Sequence, residues 1–126
     1  MDVSGEIKVQ NISDANKRFK KRVEHSSDLY YPQVNNESIY KKYGADGPLL
    51  ETINLSEGGI SFKGKVSLKV GDIINFTLSI KDKPSFWCTA EVKWIKNDNG
   101  VYSTGCEFLA LTQDQVNYIK DYVNNY

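Results

Sequence analysis

Histidine occurs once in the 126 residues, at His25, cysteine twice, at Cys88 and Cys106, and arginine twice, at Arg18 and Arg22. One histidine leaves little material for nucleophilic or metal chemistry built on histidine clusters. The two cysteines stand too far apart for a CxxC redox pair or a zinc knuckle. Each falls in an alternating strand pattern, so both read as small core residues in a reducing compartment. No apolar run approaches the roughly 20 residues that a membrane-spanning helix needs. The start, MDVSGEIKVQNISDANK, lacks the basic opening and apolar stretch of a secretory signal. These absences predict a cytoplasmic protein with no membrane insertion. No acid/base pair or metal cluster assembles from the scattered carboxylates, so the chain does not read as an enzyme and no cofactor is expected.

Net charge is also lacking: sixteen basic side chains balance sixteen acidic ones. A neutral average argues against a surface made for a nucleic-acid polymer. The distribution is uneven, however. Five of the basic residues crowd into Lys17-Arg18-Phe19-Lys20-Lys21-Arg22, and the remainder of the chain is net −5. The body is acidic, with one basic knot.

What is present is mostly strand signal. Residues 1–15 form an N-terminal extension with a short alternating stretch at Glu6–Gln10. The stretch from Val23 to about Leu50 is irregular, with one strand expected around Leu29-Tyr30-Tyr31 and an Ala45-Asp46-Gly47-Pro48 turn. From Leu49 the pattern clears. Leu49–Leu55 reads as a strand, and alternation resumes at Ile60-Ser61-Phe62. Ile74, Phe76, Leu78 and Ile80 alternate with polar residues, as do Cys88, Ala90, Val92 and Trp94. Turns are expected at Lys69-Val70-Gly71-Asp72, at Lys81-Asp82-Lys83-Pro84 and at Asn97-Asp98-Asn99-Gly100, the last leading into Val101–Phe108. The period then changes. Thr112-Gln113-Asp114-Gln115 resembles a capping box, and Val116, Ile119 and Val123 share one helical face. Short strands at regular spacing followed by one helix predict a single mostly β domain, an antiparallel barrel with a C-terminal helix.

Two motifs carry chemistry. In a chain with fourteen lysines, the only two arginines stand four apart, as Arg18-x-x-x-Arg22. The guanidinium fork grips a phosphate, or the O6/N7 edge of guanine, with two parallel hydrogen bonds, which lysine cannot do. Lys17, Lys20 and Lys21 raise the local potential around them. The plain alternative is a solvated basic tail. The second motif is Asn54-Leu55-Ser56-Glu57-Gly58-Gly59. Asn54 and Ser56 offer an amide and a hydroxyl to one face, and Gly59 leaves space beside them. Alone it would be an ordinary turn.

In this order the two motifs resemble the PilZ domain family, whose signature is RxxxR followed by [D/N]xSxxG. The similarity continues through Leu68–Asp72, Ala90-Glu91-Val92-Lys93-Trp94 and Gly105-Cys106-Glu107-Phe108 to the final helix, and places the domain at residues 16–126. The resemblance implies a six-stranded antiparallel β-barrel with a C-terminal α-helix that binds the bacterial second messenger cyclic di-GMP. It implies ligand contacts from Arg18, Arg22, Asn54, Ser56, Gly58 and Gly59. Lys17 would influence whether one ligand molecule or a stacked pair is held. Asn54 stands where aspartate is commoner, and less negative charge beside an anion is no disadvantage. The function implied is a receptor that changes conformation with its ligand and signals to a partner protein, for example in motility or exopolysaccharide control. The alternative is a PilZ-like protein-interaction scaffold that binds no nucleotide.

Overall fold

The structure is a computed structural model and describes residues 21–43 and 47–126. The expected strand at residues 6–10, the knot residues Lys17, Arg18, Phe19 and Lys20, and Ala45-Asp46 of the expected turn lie outside the described residues. The irregular segment forms four two-residue strands: β1 (Val23–Glu24), β2 (Asp28–Leu29), β3 (Gln33–Val34) and β4 (Glu37–Ser38). A single helical turn, α1 (Tyr40–Tyr43), follows. The strand expected around Leu29–Tyr31 therefore ends at Leu29, because Pro32, with no N–H to donate, follows two exposed tyrosines.

The main sheet is built from β5 (Leu50–Leu55), β6 (Gly59–Gly64), β7 (Ile73–Leu78), β8 (Phe86–Asp98) and β9 (Val101–Leu109). Every pairing is antiparallel, in the order β1-β5-β6-β9-β8-β7-β3-β4, with β2 also on β5. The antiparallel, mostly β architecture matches the expectation, but its detail differs from a six-stranded barrel. Nine strands are hydrogen-bonded among the described residues, and the ladder does not close into a ring. The extra strands come from the short pairings of residues 23–38, where hydrophobic alternation is too brief to read.

The turns follow their sequence chemistry. Asn99 (φ 54°) and Gly100 (φ 88°) join β8 to β9 with both central residues at positive φ, the backbone of a two-residue hairpin. At Lys69–Asp72 the Asp72 carboxylate accepts from the Lys69 N–H at 2.8 Å while Gly71 takes φ 96°. The last element is α2 (Gln113–Asn124), opened by a capping box. The Thr112 hydroxyl accepts from the Gln115 N–H, and the Gln115 side chain accepts from the Thr112 N–H. Ile119 and Val123 are buried, so α2 adds its apolar face to a core centred on Phe62 and Phe76, whose rings meet edge to face at 5.0 Å.

His25 joins parts of the sheet that the ladder leaves apart. It sits in the β1–β2 connection and is buried. Its Nε2–H donates to the Ser79 carbonyl just past β7 at 2.7 Å, while Nδ1 lies 2.8 Å from the Thr52 hydroxyl on β5. With Nε2 protonated, Nδ1 is the acceptor of the neutral tautomer. Burial holds the His25 pKa below its ordinary value, opposed by the hydrogen bond to Ser79. A polar residue in a connection was expected; its burial and double tether were not.

Candidate functional site

Two β-bulges shape the outer face of the sheet. On β5 the register passes from Thr52↔Phe62 to Asn54↔Ser61, which leaves Ile53 unpaired. On β8 it passes from Val92↔Cys106 to Trp94↔Gly105, which leaves Lys93 unpaired. An extra residue flips everything after it to the other face. Simple alternation after Leu50 and Thr52 would send Asn54 inward, and after Cys88, Ala90 and Val92 it would send Trp94 inward. Instead Leu55 and Ile95 face the core, Asn54 is half-buried, and Trp94 is 46% exposed. The result is one cross-strand row, Asn54–Ser61–Gly105–Trp94, running over β5, β6, β9 and β8.

That row floors a cavity of about 170 Å3. Arg22, at the entry to β1, and Ser56, Gly58, Lys93 and Glu107 complete its walls. Of the expected site residues, Arg22, Asn54, Ser56, Gly58 and Gly59 converge on this one cavity, while Lys17 and Arg18 lie outside the described residues. Arg22 is exposed, so its guanidinium donors are available to a ligand. The Ser61 hydroxyl donates to Asn54 Oδ1 at 2.9 Å, which orients the amide and leaves its NH2 group as donor. Ser56 lies one residue beyond β5, and its N–H donates to the Gly59 carbonyl at 2.9 Å to close the turn. The Gly58 carbonyl accepts from the Phe108 N–H at 3.0 Å, fixing that turn against β9.

The two glycines of the face do different work. A Cβ on Gly59 would fall on the Cys106 backbone carbonyl, so Gly59 permits β6 to lie close against β9. A Cβ on Gly105 would fall on the Trp94 indole. Gly105 is therefore the seat of the indole, which lies over it as a flat, half-exposed surface. Such a surface suits the face of a nucleobase.

Charge on the cavity is arranged in opposition. Lys93 Nζ lies 3.5 Å from Glu91 and 3.4 Å from Glu107. Glu91 first, then Glu107, hold the ammonium above its ordinary pKa. The pair is exposed, hence weak and exchangeable. Trp94, Lys93, Gly105, Ser61 and Glu107 were not expected as site residues. The bulges that aim Trp94 and Lys93 outward leave no mark in hydrophobic alternation. A glycine on β9 opposite a large aromatic on β8 is the one signal that could have shown the platform.

A larger cavity, about 580 Å3, lies at the other end of the β5–β6 hairpin, against Leu50 and Gly64. Its charged lining mixes Asp28 and Glu51 with Lys63 and Lys65, and it gathers none of the motif residues. No group of three or more potential metal ligands occurs among the described residues. No helix among them is long and apolar enough to cross a membrane.

An antiparallel sheet with a capped C-terminal helix, carrying an arginine and an NxSxxG turn on one outer face, defines a PilZ-type domain. The PilZ domain family model matches residues 16–125, and the chain belongs to that family. Two solved structures share the fold. The Bacillus subtilis inhibitor of motility, MotI/DgrA, superposes with a TM-score of 0.63 at 17% identity, covering 84% of this chain and 49% of that one. Klebsiella pneumoniae MrkH in its apo state gives 0.57 at 18% identity, covering 82% of this chain and 48% of that one. This chain thus spans about half the length of each. No curated protein matches it by sequence.

Proposed function

We propose that this chain is a cytoplasmic bacterial receptor for cyclic di-GMP that signals to a partner protein. PilZ domains form a family of cyclic di-GMP receptors and effectors rather than enzymes, and this chain keeps both arginines and every defined position of the NxSxxG turn. The observation that carries the reading is the convergence of Arg22 with Asn54, Ser56, Gly58 and Gly59 on one cavity beside the Trp94 indole.

The chemistry suits the ligand. Cyclic di-GMP has two guanines and two phosphates, with a charge of about −2, so planar forks and polar strand groups complement it. A cavity of about 170 Å3 is smaller than those that enclose a whole drug-sized ligand, roughly 300–1,000 Å3. It takes part of the ligand, with a base on Trp94, and leaves the phosphates to the arginines of the basic knot. Arg18 and Lys17 act there with Arg22, and Lys17 favours a stacked pair of ligands.

A route for the signal lies in contacts of α2. Tyr122 and Tyr126 donate hydroxyls to Glu24, two residues after Arg22, at 2.7 and 2.9 Å. Lys120 lies 3.9 Å from Glu57, inside the NxSxxG turn. Ligand that draws in Arg22 and the turn acts on two anchors of one helix, and a surface on or beside α2 is what the partner reads.

Calorimetric titration with cyclic di-GMP tests the reading. Saturable micromolar or tighter binding is expected, lost in Arg18→Ala and Arg22→Ala and little affected by competing GTP or single-stranded RNA. Absence of binding by the folded protein overturns it.

A further inference from the structure

Most charged and aromatic side chains around the cavity have a fixed hydrogen-bonding sense. Arg22 and Lys93 only donate, and Trp94 donates through its indole N–H. Asn54 has committed its oxygen to Ser61, which leaves its NH2 group as a donor. Glu107 is different. It is the one carboxylate among the described lining residues, and when ionised it only accepts.

Its position is specific. Glu107 pairs directly with Gly59 on one side and with Glu91 on the other. Because Gly59 has no side chain, nothing on that residue separates Glu107 from the NxSxxG turn. A negative charge here opposes an anionic ligand unless the carboxylate gains donors in return. Lys93, 3.4 Å away, supplies such compensation. In the occupied site the donors must come from the ligand or remain with the lysine.

Guanine has such donors. Its Watson–Crick edge presents N1–H and an N2 amino group, whereas adenine presents an unprotonated, accepting N1. A carboxylate can take both guanine donors with its two oxygens and is repelled by the adenine nitrogen. We propose that Glu107 reads the donor edge of guanine and makes this chain select guanine over adenine in a cyclic dinucleotide, an inference that rests on the cyclic di-GMP reading above. Lys93, held by both Glu91 and Glu107, stays with Glu91 as the base enters, and the guanine donors take its place on Glu107.

The test is titration of the wild type and Glu107→Gln with cyclic di-GMP, cyclic di-AMP and cyclic di-IMP at one ionic strength. The wild type should prefer cyclic di-GMP, and should bind cyclic di-IMP, which lacks the N2 amino group, about tenfold more weakly. In Glu107→Gln the ratio of cyclic di-AMP to cyclic di-GMP dissociation constants should fall about tenfold. Charge removal alone would tighten both ligands together and leave that ratio unmoved, so an unchanged ratio overturns the proposal. Equal wild-type affinity for cyclic di-GMP and cyclic di-IMP overturns it too, independently of how well the variant folds. Failure of the wild type to bind cyclic di-GMP at all identifies the receptor reading as the part that fell, and the inference falls with it.

Discussion

Tyr122 donates its hydroxyl to the backbone carbonyl of Glu24 at 2.7 Å, joining positions 98 apart in sequence. The neighbouring Tyr126 hydroxyl donates to the Glu24 carboxylate at 2.9 Å. Desolvation first, then the Glu24 charge, raises the Tyr122 pKa, so the phenol stays a protonated donor well above neutral pH. One short strand residue thus holds the end of α2 by two different oxygens.

Removing the Tyr122 donor should loosen that hold without dismantling the core. Tyr122→Phe is expected to cost about 0.5–1 kcal/mol in urea denaturation, the ordinary net worth of one hydrogen bond. Amide exchange in the last turn of α2 should speed up in the same variant. Unchanged exchange there would show that the Glu24 contact does not anchor the helix.

His25 gives stability a pH dependence whose sign can be worked out. Burial lowers its folded pKa below the unfolded value of 6.5, so below that value the unfolded chain binds more protons than the folded one. Its contribution is therefore fully present above about pH 6.5 and is lost as pH falls through the folded pKa. Denaturation midpoints between pH 8 and 5 should fall on the acid side. His25→Asn should flatten that part of the profile while lowering stability overall, because Ser79 and Thr52 lose their partner.

Gly59→Ala and Gly105→Ala should separate folding from binding. At Gly59 the added methyl meets the backbone carbonyl of Cys106, which cannot move without parting β6 from β9. A loss of about 2 kcal/mol or more is expected by thermal or urea unfolding. At Gly105 the obstacle is the half-exposed Trp94 ring, which can swing away. That variant should fold nearly as well as the wild type and bind cyclic di-GMP more weakly.

Trp94 itself offers an optical readout. The other tryptophan, Trp87, is 51% exposed and does not line the site, so Trp87→Phe leaves Trp94 as the sole indole emitter. Cyclic di-GMP should quench its fluorescence, and Trp94→Ala should weaken binding by about 1–3 kcal/mol, the worth of a base–aromatic stack. Unquenched emission at saturating ligand would place the base elsewhere.

Legibility in the sequence tracked the length and regularity of each signal. The Asn99-Gly100 hairpin, the Thr112/Gln115 capping box and the alternation over Ile74–Leu78 each depend on a few adjacent residues, and each formed as read. The four two-residue strands before α1 depend on partners far along the chain, such as Val34 with Ile74, which local pattern does not encode. Around the cavity, Arg22 stood out as one of two arginines beside fourteen lysines, whereas Asn54 and Ser56, alone an ordinary turn, were singled out through the PilZ signature. Trp94 and Glu107 were not. One bulge residue, Lys93, reverses the side to which Trp94 points, and Glu107 acquires meaning only through its register with Gly59.

Cys88 and Cys106 are both buried in the core, and burial pushes each thiol up to about 12. At neutral pH neither supplies the thiolate that attacks maleimides or disulfides. These are also the chain's only cysteines. A cysteine introduced at the exposed Asn124, the last residue of α2, would accordingly be the single reactive handle on the molecule. A dye attached there could follow the end of α2 in real time, with no native residue removed to make the labelling selective.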